Sequence, residues 1–192
     1  TVNQRLAALK SYLKYVSDGN ITLVQVYLGV QKVPFLKIPK LQRPVIEKEE
    51  LRMLLDEPSN TRIGNRDRMI LILLFDSAIR VSELSGIVLG DVSLNISHPS
   101  IMIHGKGKKT RAITLNTKCA EHVKEYIRCY HKPGAPSDTP LFYTTIHGRV
   151  NHMSERNIER IVKKYSDIVR KEYPALPDSV SPHTLRRSRA TG

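Results

Sequence analysis

The sequence contains no tryptophan, only two cysteines and no apolar run long enough to cross a bilayer. Cys119 and Cys129 lie on one predicted helix, so they cannot pair with each other unless it bends, and we expect both to be packing residues. The seven histidines are scattered, and no Cys and His spacing is typical of zinc. These absences argue against a disulfide framework, a metal site and a membrane span, and they favour a cytoplasmic protein.

Acidic residues are also scarce. The 18 Asp and Glu residues face 31 Lys and Arg residues, which gives a formal net charge of +13. Such an excess predicts a polyanionic partner, with nucleic acid as the first choice and an anionic membrane surface as the second. In a bacterium, association with the nucleoid is expected. The length of 192 residues and the hydrophobic content of 40% fit one sizeable domain, or one domain and part of another.

The first 40 residues are predicted to be separate from the rest. Residues 1–19 form an amphipathic helix that is too short to be stable alone, so we interpret it as the end of a domain that begins upstream. Prolines alternate with cations through Lys32–Pro44, which predicts an extended basic linker or, alternatively, an ordinary irregular loop. We place the domain boundary near residue 40, between residues 1–40 and 41–192. In this segment the candidate DNA contacts are Lys37, Lys40 and Arg43.

An arginine follows the most apolar stretch of the chain. The spacing of apolar residues from Ile70 favours a buried helix, which Asn65 is expected to cap. A break is expected near Ser77–Val81, with Ser82 as a second cap. Arg80 then starts from the protein interior, and its permanent charge needs an anionic partner or a wet cleft. Glu83, one turn away, and a phosphate from outside are both candidates for that partner.

A basic hairpin is predicted next. Two short apolar runs, around Ile101–Ile103 and Ile113–Leu115, flank the sequence HGKGKKTR. The glycines do not satisfy the P-loop pattern, and no helix follows at once. The tip is therefore either a solvated charge cluster or a contact with a phosphate backbone, and the net charge favours the contact. The candidate DNA contacts at this tip are Lys108, Lys109 and Arg111.

The remaining chain alternates helices with irregular segments. We predict a helix from a Thr117 cap to Tyr130, a short strand at 141–144, and a helix after a Ser154 cap with one basic face. Ser181 and Pro182 begin a last helix. His183 and Arg186 share one face at its positive end, where anions bind well, although a structural histidine is the commoner finding.

Three motifs in this order resemble those of the tyrosine recombinases, the phage integrase family of DNA breaking and rejoining enzymes, over about residues 40–192. The resemblance implies a mostly α-helical α+β catalytic domain with a small antiparallel sheet, and residues 1–19 resemble the last helix of the family's N-terminal DNA-clamping domain. The matching segments are Ser77-Ala78-Ile79-Arg80-Val81-Ser82-Glu83-Leu84 with Asp91, Gly105-Lys106-Gly107-Lys108-Lys109-Thr110-Arg111, and Pro182-His183-Thr184-Leu185-Arg186 followed by Ala190-Thr191.

The resemblance also implies roles for individual residues. Arg80 and Arg186 would grip the scissile phosphate, because a planar fork holds two oxygens and stays charged. Lys106 would protonate the leaving 5′-oxygen, and His183 would be the acid/base partner of a tyrosine nucleophile. The implied partners are double-stranded DNA and further protomers of the same recombinase, and no metal or other cofactor is implied.

The sequence departs from the family pattern at two places. Arg187 stands where histidine is common; it also adds a candidate DNA contact. The tyrosine nucleophile should follow Arg186, but the last tyrosine is Tyr173, so the chain as given is expected not to cleave DNA. Two alternatives therefore stay open besides a recombinase, namely a non-catalytic DNA-binding regulator of recombination sites and a type IB topoisomerase.

Overall fold

The computed structural model describes residues 1–37, 44–95, 97–105 and 109–191. Four predicted site residues, Lys40, Arg43, Lys106 and Lys108, lie outside the described residues. The chain divides into two compact units, residues 1–43 and 44–192. Within the described ranges, no helix combines the length and hydropathy that a bilayer span requires.

The first unit contains two helices, α1 (Val2–Ser17) and α2 (Val24–Gln31), joined through a 3-10 turn at Ile21–Leu23. The segment after α2 turns back onto α1, where the Asn3 side chain exchanges two hydrogen bonds with the backbone of Leu36, at 2.9 and 3.0 Å. The first part of the predicted linker, residues 32–37, therefore lies against α1. An asparagine amide can pair with both backbone groups of one residue, and this pairing fastens the segment to the helix.

The second unit is mostly helical with two small antiparallel sheets, so the predicted α+β class is confirmed. Strands β1, β2 and β3 form one sheet in that order, and β4 and β5 form the other. The elements of this unit are α3 (Lys48–Asp56), α4 (Arg62–Ser77), α5 (Val81–Gly86), a 3-10 turn (Leu89–Asp91), β1 (Val92–Ser93), β2 (Ser100–His104), β3 (Thr110–Thr114), α6 (Thr117–Tyr130), β4 (Tyr143–Ile146), β5 (Arg149–His152), α7 (Glu155–Glu172) and α8 (Pro182–Thr191).

Helix α4 lies at the centre of this unit. It packs against α3, α6, α7 and α8. Most of its apolar residues are buried, as the sequence predicted, although Ile63 in its first turn is exposed. The buried residues join one hydrophobic core with the inward faces of the surrounding helices and of β2. The buried residues of α4 are Gly64, Asp67, Met69, Ile70, Leu71, Leu73 and Leu74.

Helix starts were predicted with mixed success. Ser154 caps α7, as expected, because its hydroxyl accepts the backbone N–H of Asn157 at 3.3 Å. The cap of α4 is Thr61 rather than Asn65, and the cap of α6 is Asn116 rather than Thr117. In both cases the cap is the last residue with an extended backbone. Its side chain accepts a backbone N–H of the first turn, for which the helix itself offers no carbonyl acceptor.

The predicted basic hairpin is confirmed as β2 and β3, with Ile101 opposite Ile113 and His104 opposite Thr110. The strand predicted at 141–144 begins later, at Tyr143, and pairs with a fifth strand that was not predicted. His147 and Gly148 form the turn between them with φ values of 49° and 75°. Positive φ at both positions is typical of a tight two-residue hairpin turn.

Gly64 in the first turn of α4 gives a test of the packing. An added Cβ would lie 2.0 Å from the Ser59 carbonyl oxygen, so Gly64→Ala should lower the free energy of unfolding by about 1–3 kcal/mol. Gly86, at the end of α5, has open space around an added Cβ, so Gly86→Ala is the matched control and should be neutral or slightly stabilising. Urea unfolding measures both, and equal effects of the two variants would contradict this account.

Candidate active site

The end of α4 determines where Arg80 lies. Ala78 adopts a left-handed conformation, with φ 49° and ψ 31°, which stops the helix at Ser77. Ile79 is buried, and the chain then enters α5 with Arg80, not Ser82, at the cap position. The predicted break between the two helices is therefore confirmed, and the cap prediction is wrong. The acidic side chain three residues into α5, Glu83, accepts the Arg80 backbone N–H at 2.8 Å.

Glu83 is the most heavily bonded acid in the site. Its side chain is only 4% exposed, and it accepts hydrogen bonds from two guanidinium groups. Arg80 donates one through Nη1 at 2.9 Å, whereas Arg111 donates two, through Nη1 at 3.0 Å and Nη2 at 2.9 Å. The internal partner foreseen for Arg80 is thus present, and a second arginine shares it.

The charge of Glu83 is strongly favoured. Burial alone would raise its pKa, but the hydrogen bonds from Arg111 and Arg80 outweigh that effect and lower the pKa to about 2. Glu83 also raises the pKa of Arg111 through the same hydrogen bonds. The three side chains therefore form one ionised cluster with a net positive charge.

Arg80 and Arg111 face a common cleft. Its volume is about 950 Å³, and the Arg80 side chain, 56% exposed, reaches it although one of its nitrogens is bound to Glu83. His104 contributes to the wall and is fixed by Asp91, with Nε2 and Oδ1 2.8 Å apart. The lining residues are Arg80, Ser82, Glu83, His104, Gly105, Lys109, Thr110 and Arg111. The cleft is therefore cationic and anchored by buried carboxylates, which suits it to a polyanion.

Helix α8 carries the other two predicted catalytic residues. Ser181 caps it as predicted, since its hydroxyl accepts the Thr184 N–H at 3.3 Å. His183 is exposed, whereas Nη1 of Arg186 is buried and has no hydrogen-bond partner within the described part of the chain. Neither residue belongs to the lining of the Arg80 cleft, although α8 packs along α4, the helix that leads to Arg80. A buried guanidinium nitrogen without a partner is unfavourable unless an anion satisfies it.

The predicted DNA contacts are divided among several places. Lys109 lines the Arg80 cleft, and Lys37 is exposed in the first unit. Arg187 donates through Nη1 to the Pro44 carbonyl at 3.0 Å, beside the bond from the Ile46 N–H to the Ser188 hydroxyl at 2.8 Å. The side chain after Arg186 therefore ties α8 to the first residues of the second unit.

Sequence reasoning missed two features of the site. It did not foresee the two-bond ion pair of Arg111 with Glu83, and it gave no role to His104. The DNA contact predicted for Arg111 stays a prediction. Of the two cysteines, Cys119 is buried as expected, but Cys129 is exposed. The pair of Arg80 and Glu83 could be predicted from their spacing of three residues. A contact between residues 83 and 111 leaves no periodic pattern in the sequence.

Comparison with known proteins identifies the protein family. Residues 44–192 match the phage integrase family, so the chain belongs to that family. The recognition made from the three motifs is therefore confirmed. Members of this class are tyrosine recombinases, and the family assignment covers the whole second unit.

Individual relatives agree with this assignment. The chain is 31% identical over 198 residues to tyrosine recombinase XerC of Thermodesulfovibrio yellowstonii, and 32% identical over 200 residues to XerC of Syntrophus aciditrophicus. All of this chain is covered in both cases, but it spans only 61% and 60% of those two proteins. A crystal structure of XerH site-specific recombinase bound to difH substrate shares the fold, with a TM-score of 0.61 at 20% identity, over 97% of this chain and 58% of that one.

Ala78 provides a stability test of the junction before Arg80. A side chain in the left-handed region costs about 1 kcal/mol relative to glycine, so Ala78→Gly should raise the free energy of unfolding by about that amount. Ala120→Gly, inside α6, is the matched control and should lower it by about 1 kcal/mol. Chemical denaturation distinguishes the two, and a loss of stability in both variants would contradict the assigned strain.

Glu83→Gln tests the ion cluster through pH. In the unfolded chain Glu83 titrates near 4.5, and in the folded protein near 2, so between these values the unfolded state binds the additional proton. The stabilisation is complete above about pH 4.5 and is lost as the pH falls towards 2. The variant should lose about 1–3 kcal/mol at neutral pH.

The measurement is urea unfolding of both proteins from pH 7 downwards. The difference in unfolding free energy between wild type and Glu83→Gln should shrink below about pH 4.5. Glu121→Gln, at an exposed position of α6, controls for the loss of one carboxylate. A difference that is the same at every pH would mean that the Glu83 charge does not contribute.

Proposed function

We propose that this chain is the catalytic part of a site-specific DNA recombinase or integrase, which breaks and rejoins duplex DNA through a 3′-phosphotyrosine intermediate. The observation that carries the proposal is Arg80, which is held by buried Glu83 yet opens into a cationic cleft. Membership of the phage integrase family and the DNA complex of XerH, a protein of the same fold, support the same reaction.

The two arginines are proposed to bind the scissile phosphate. Because Glu83 occupies only one nitrogen of the Arg80 guanidinium, the others are available for phosphate oxygens. Nη1 of Arg186, which is unpaired among the described residues, supports a second phosphate contact. Two fixed cations stabilise the charge that develops in the transition state and need no reorganisation when it forms.

Proton transfer is proposed for Lys106 and His183. Lys106 lies outside the described residues, but its chain neighbour Gly105 lines the cleft, and the Gly105 N–H to Lys109 carbonyl bond of 2.8 Å closes the base of the tip. A lysine there would donate a proton to the leaving 5′-oxygen. His183, exposed on α8, would serve the tyrosine nucleophile.

The wider DNA surface is proposed to include Lys109 and Lys37, together with Lys40, Arg43 and Lys108, which lie outside the described residues. Arg187 is proposed as a further contact that keeps its bond to Pro44. The formal charge of +13 supports a large electrostatic contribution to binding. The same proposal expects further protomers of the recombinase on the DNA, in the cytoplasm at the nucleoid.

Residues 1–40 are proposed to be the end of an N-terminal DNA-clamping domain. Leu13 is the buried apolar residue of α1, while many large apolar side chains of this unit are exposed. Exposed apolar surface on so short a segment supports packing against further helices. The exposed residues include Val2, Leu9, Tyr12, Tyr15, Ile21, Val26, Leu28, Val33, Phe35 and Leu36.

Arg80→Ala is the test of function, in a chain extended to carry the tyrosine segment. The extended protein should form a covalent adduct with duplex DNA that contains its site, and the variant should lose it while affinity falls only modestly. The fold should persist in the variant, because Arg111 still pairs with Glu83. Arg52→Ala, at an exposed pair on α3, is the control and should form the adduct normally.

Other outcomes would identify the alternatives. An extended protein that binds its site without any adduct would favour a DNA-binding regulator. Relaxation of supercoiled DNA from a single site, without recombination between two, would favour a type IB topoisomerase. Retained cleavage in Arg80→Ala would leave Arg80 with only its structural pairing to Glu83.

A further inference from the structure

The base of the β2–β3 hairpin is attached to the protein at two carboxylates. On the return strand, Arg111 places both terminal nitrogens on the two oxygens of Glu83, at 3.0 and 2.9 Å. On the outgoing strand, His104 contacts Asp91 at 2.8 Å. His104 pairs with Thr110 and Arg111 pairs with Ile103, so the two attachments lie at the last two pairs of the ladder before the tip.

The geometry of Arg111 differs from that of a free phosphate contact. Its two terminal nitrogens donate parallel hydrogen bonds to the two oxygens of Glu83, which is the strong form of an arginine–carboxylate interaction. Glu83 is buried, so a phosphate that removed Arg111 from it would leave that carboxylate with Arg80 as its one remaining partner. The Arg111 side chain is itself 44% exposed, but removing one partner of the buried Glu83 carboxylate is unfavourable. Arg111 is therefore better suited to an internal role than to the DNA contact predicted from the sequence.

Glu83 connects Arg111 to Arg80. The carboxylate accepts four hydrogen bonds, two from the backbone and side chain of Arg80 and two from Arg111. One group therefore fixes the start of α5 and the base of the hairpin at the same time. The separation between Arg80 and the base of the hairpin therefore depends on this carboxylate.

We propose that Arg111 is a positioning residue, which acts through Glu83 to hold the base of the β2–β3 hairpin, with Gly105 and Lys109, beside Arg80 during DNA cleavage. This role rests on the function proposed above. It places Arg111 outside the set of residues that touch DNA. A misplacement of the hairpin by about 1 Å is enough to lower the rate of the chemical step by about 100-fold.

The experiment is a double-mutant cycle in the extended, tyrosine-bearing chain. The variants are Arg111→Gln, Glu83→Gln and the two combined, and the readout is the rate of covalent adduct formation at saturating DNA. Arg111→Gln should lower the rate by about 10- to 100-fold. In the Glu83→Gln background the same change should have little further effect, because the group through which Arg111 acts is already absent.

Two further variants sharpen the result. Arg111→Lys keeps the charge but loses the fork, so it should be nearly as slow as Arg111→Gln. Arg128→Gln is the matched control, since Arg128 also pairs by two nitrogens with a glutamate, Glu125, but on the exposed surface of α6. Its adduct rate should equal that of the wild type.

DNA binding by the 192-residue chain separates positioning from contact. A residue that neutralises one phosphate contributes about 0.9 to the slope of log affinity against log salt. The positioning role predicts that Arg111→Gln keeps the wild-type slope. A slope reduced by about 0.9, together with normal binding by Arg111→Lys, would return Arg111 to the DNA surface and overturn the proposal.

The remaining outcomes are also distinct. If the wild-type extended chain forms the adduct and Arg111→Gln forms it equally fast, the positioning role is wrong and the recombinase function stands. If Arg111→Gln is equally harmful with and without Glu83, Arg111 does not act through that carboxylate. If the wild-type extended chain forms no adduct, the proposed function fails, and the role in cleavage fails with it.

Discussion

The second unit depends on the burial of α4. The apolar stretch that packs against α3, α6, α7 and α8 excludes polar chemistry from the middle of α4, although the start of the helix is exposed at Ile63 and Asn65. Its one buried acid, Asp67, is satisfied inside the protein by Arg66 and by the Tyr165 hydroxyl. The side chains proposed to bind phosphate consequently lie beyond its end, at Arg80, and on the helix packed along it, at Arg186.

Carboxylates organise the cations of this basic protein. Arg80 and Arg111 would repel each other across the cleft if Glu83 did not lie between them. Asp91 has a similar place beside His104, and its other oxygen accepts the Val88 N–H at 3.0 Å. Glu83 and Asp91 thus hold the cations of the site in place. The cluster of Arg80, Glu83 and Arg111 keeps a net positive charge, which favours a bound phosphate.

Local structure was predictable where it depends on one residue or on a short sequence pattern. The apolar periodicity of α4, the caps Ser154 and Ser181, and the glycine-containing hairpin each leave a short-range pattern that the fold preserves. The break before Arg80 was also predicted, from a cap expected at Ser82, although the cap itself is Arg80. Its cause, the left-handed Ala78, has no reliable signature in a residue other than glycine or asparagine.

Long-range partners were not predictable. The Arg111 pair joins residues 28 positions apart, and two cations in a basic hairpin look alike in the sequence whether one of them points inward or not. The fold of residues 32–37 against α1 was missed for the same reason, since the Asn3 and Leu36 bonds span 33 positions. Whether the Arg186 nitrogen is buried depends on how α8 packs against the rest of the unit. The ten residues of α8 do not by themselves predict that packing.

The bonds from Ile46 to Ser188 and from Arg187 to Pro44 have a consequence for modularity. They join positions 142 and 143 residues apart, so the second unit starts beside the helix that carries Arg186. Ile46 and Ser188 are both buried, so the chain enters the unit at its core, next to the late helix α8 that packs along α4. The unit is in this sense closed on itself from its first residues, and a change at its entry would reach the helix that carries Arg186.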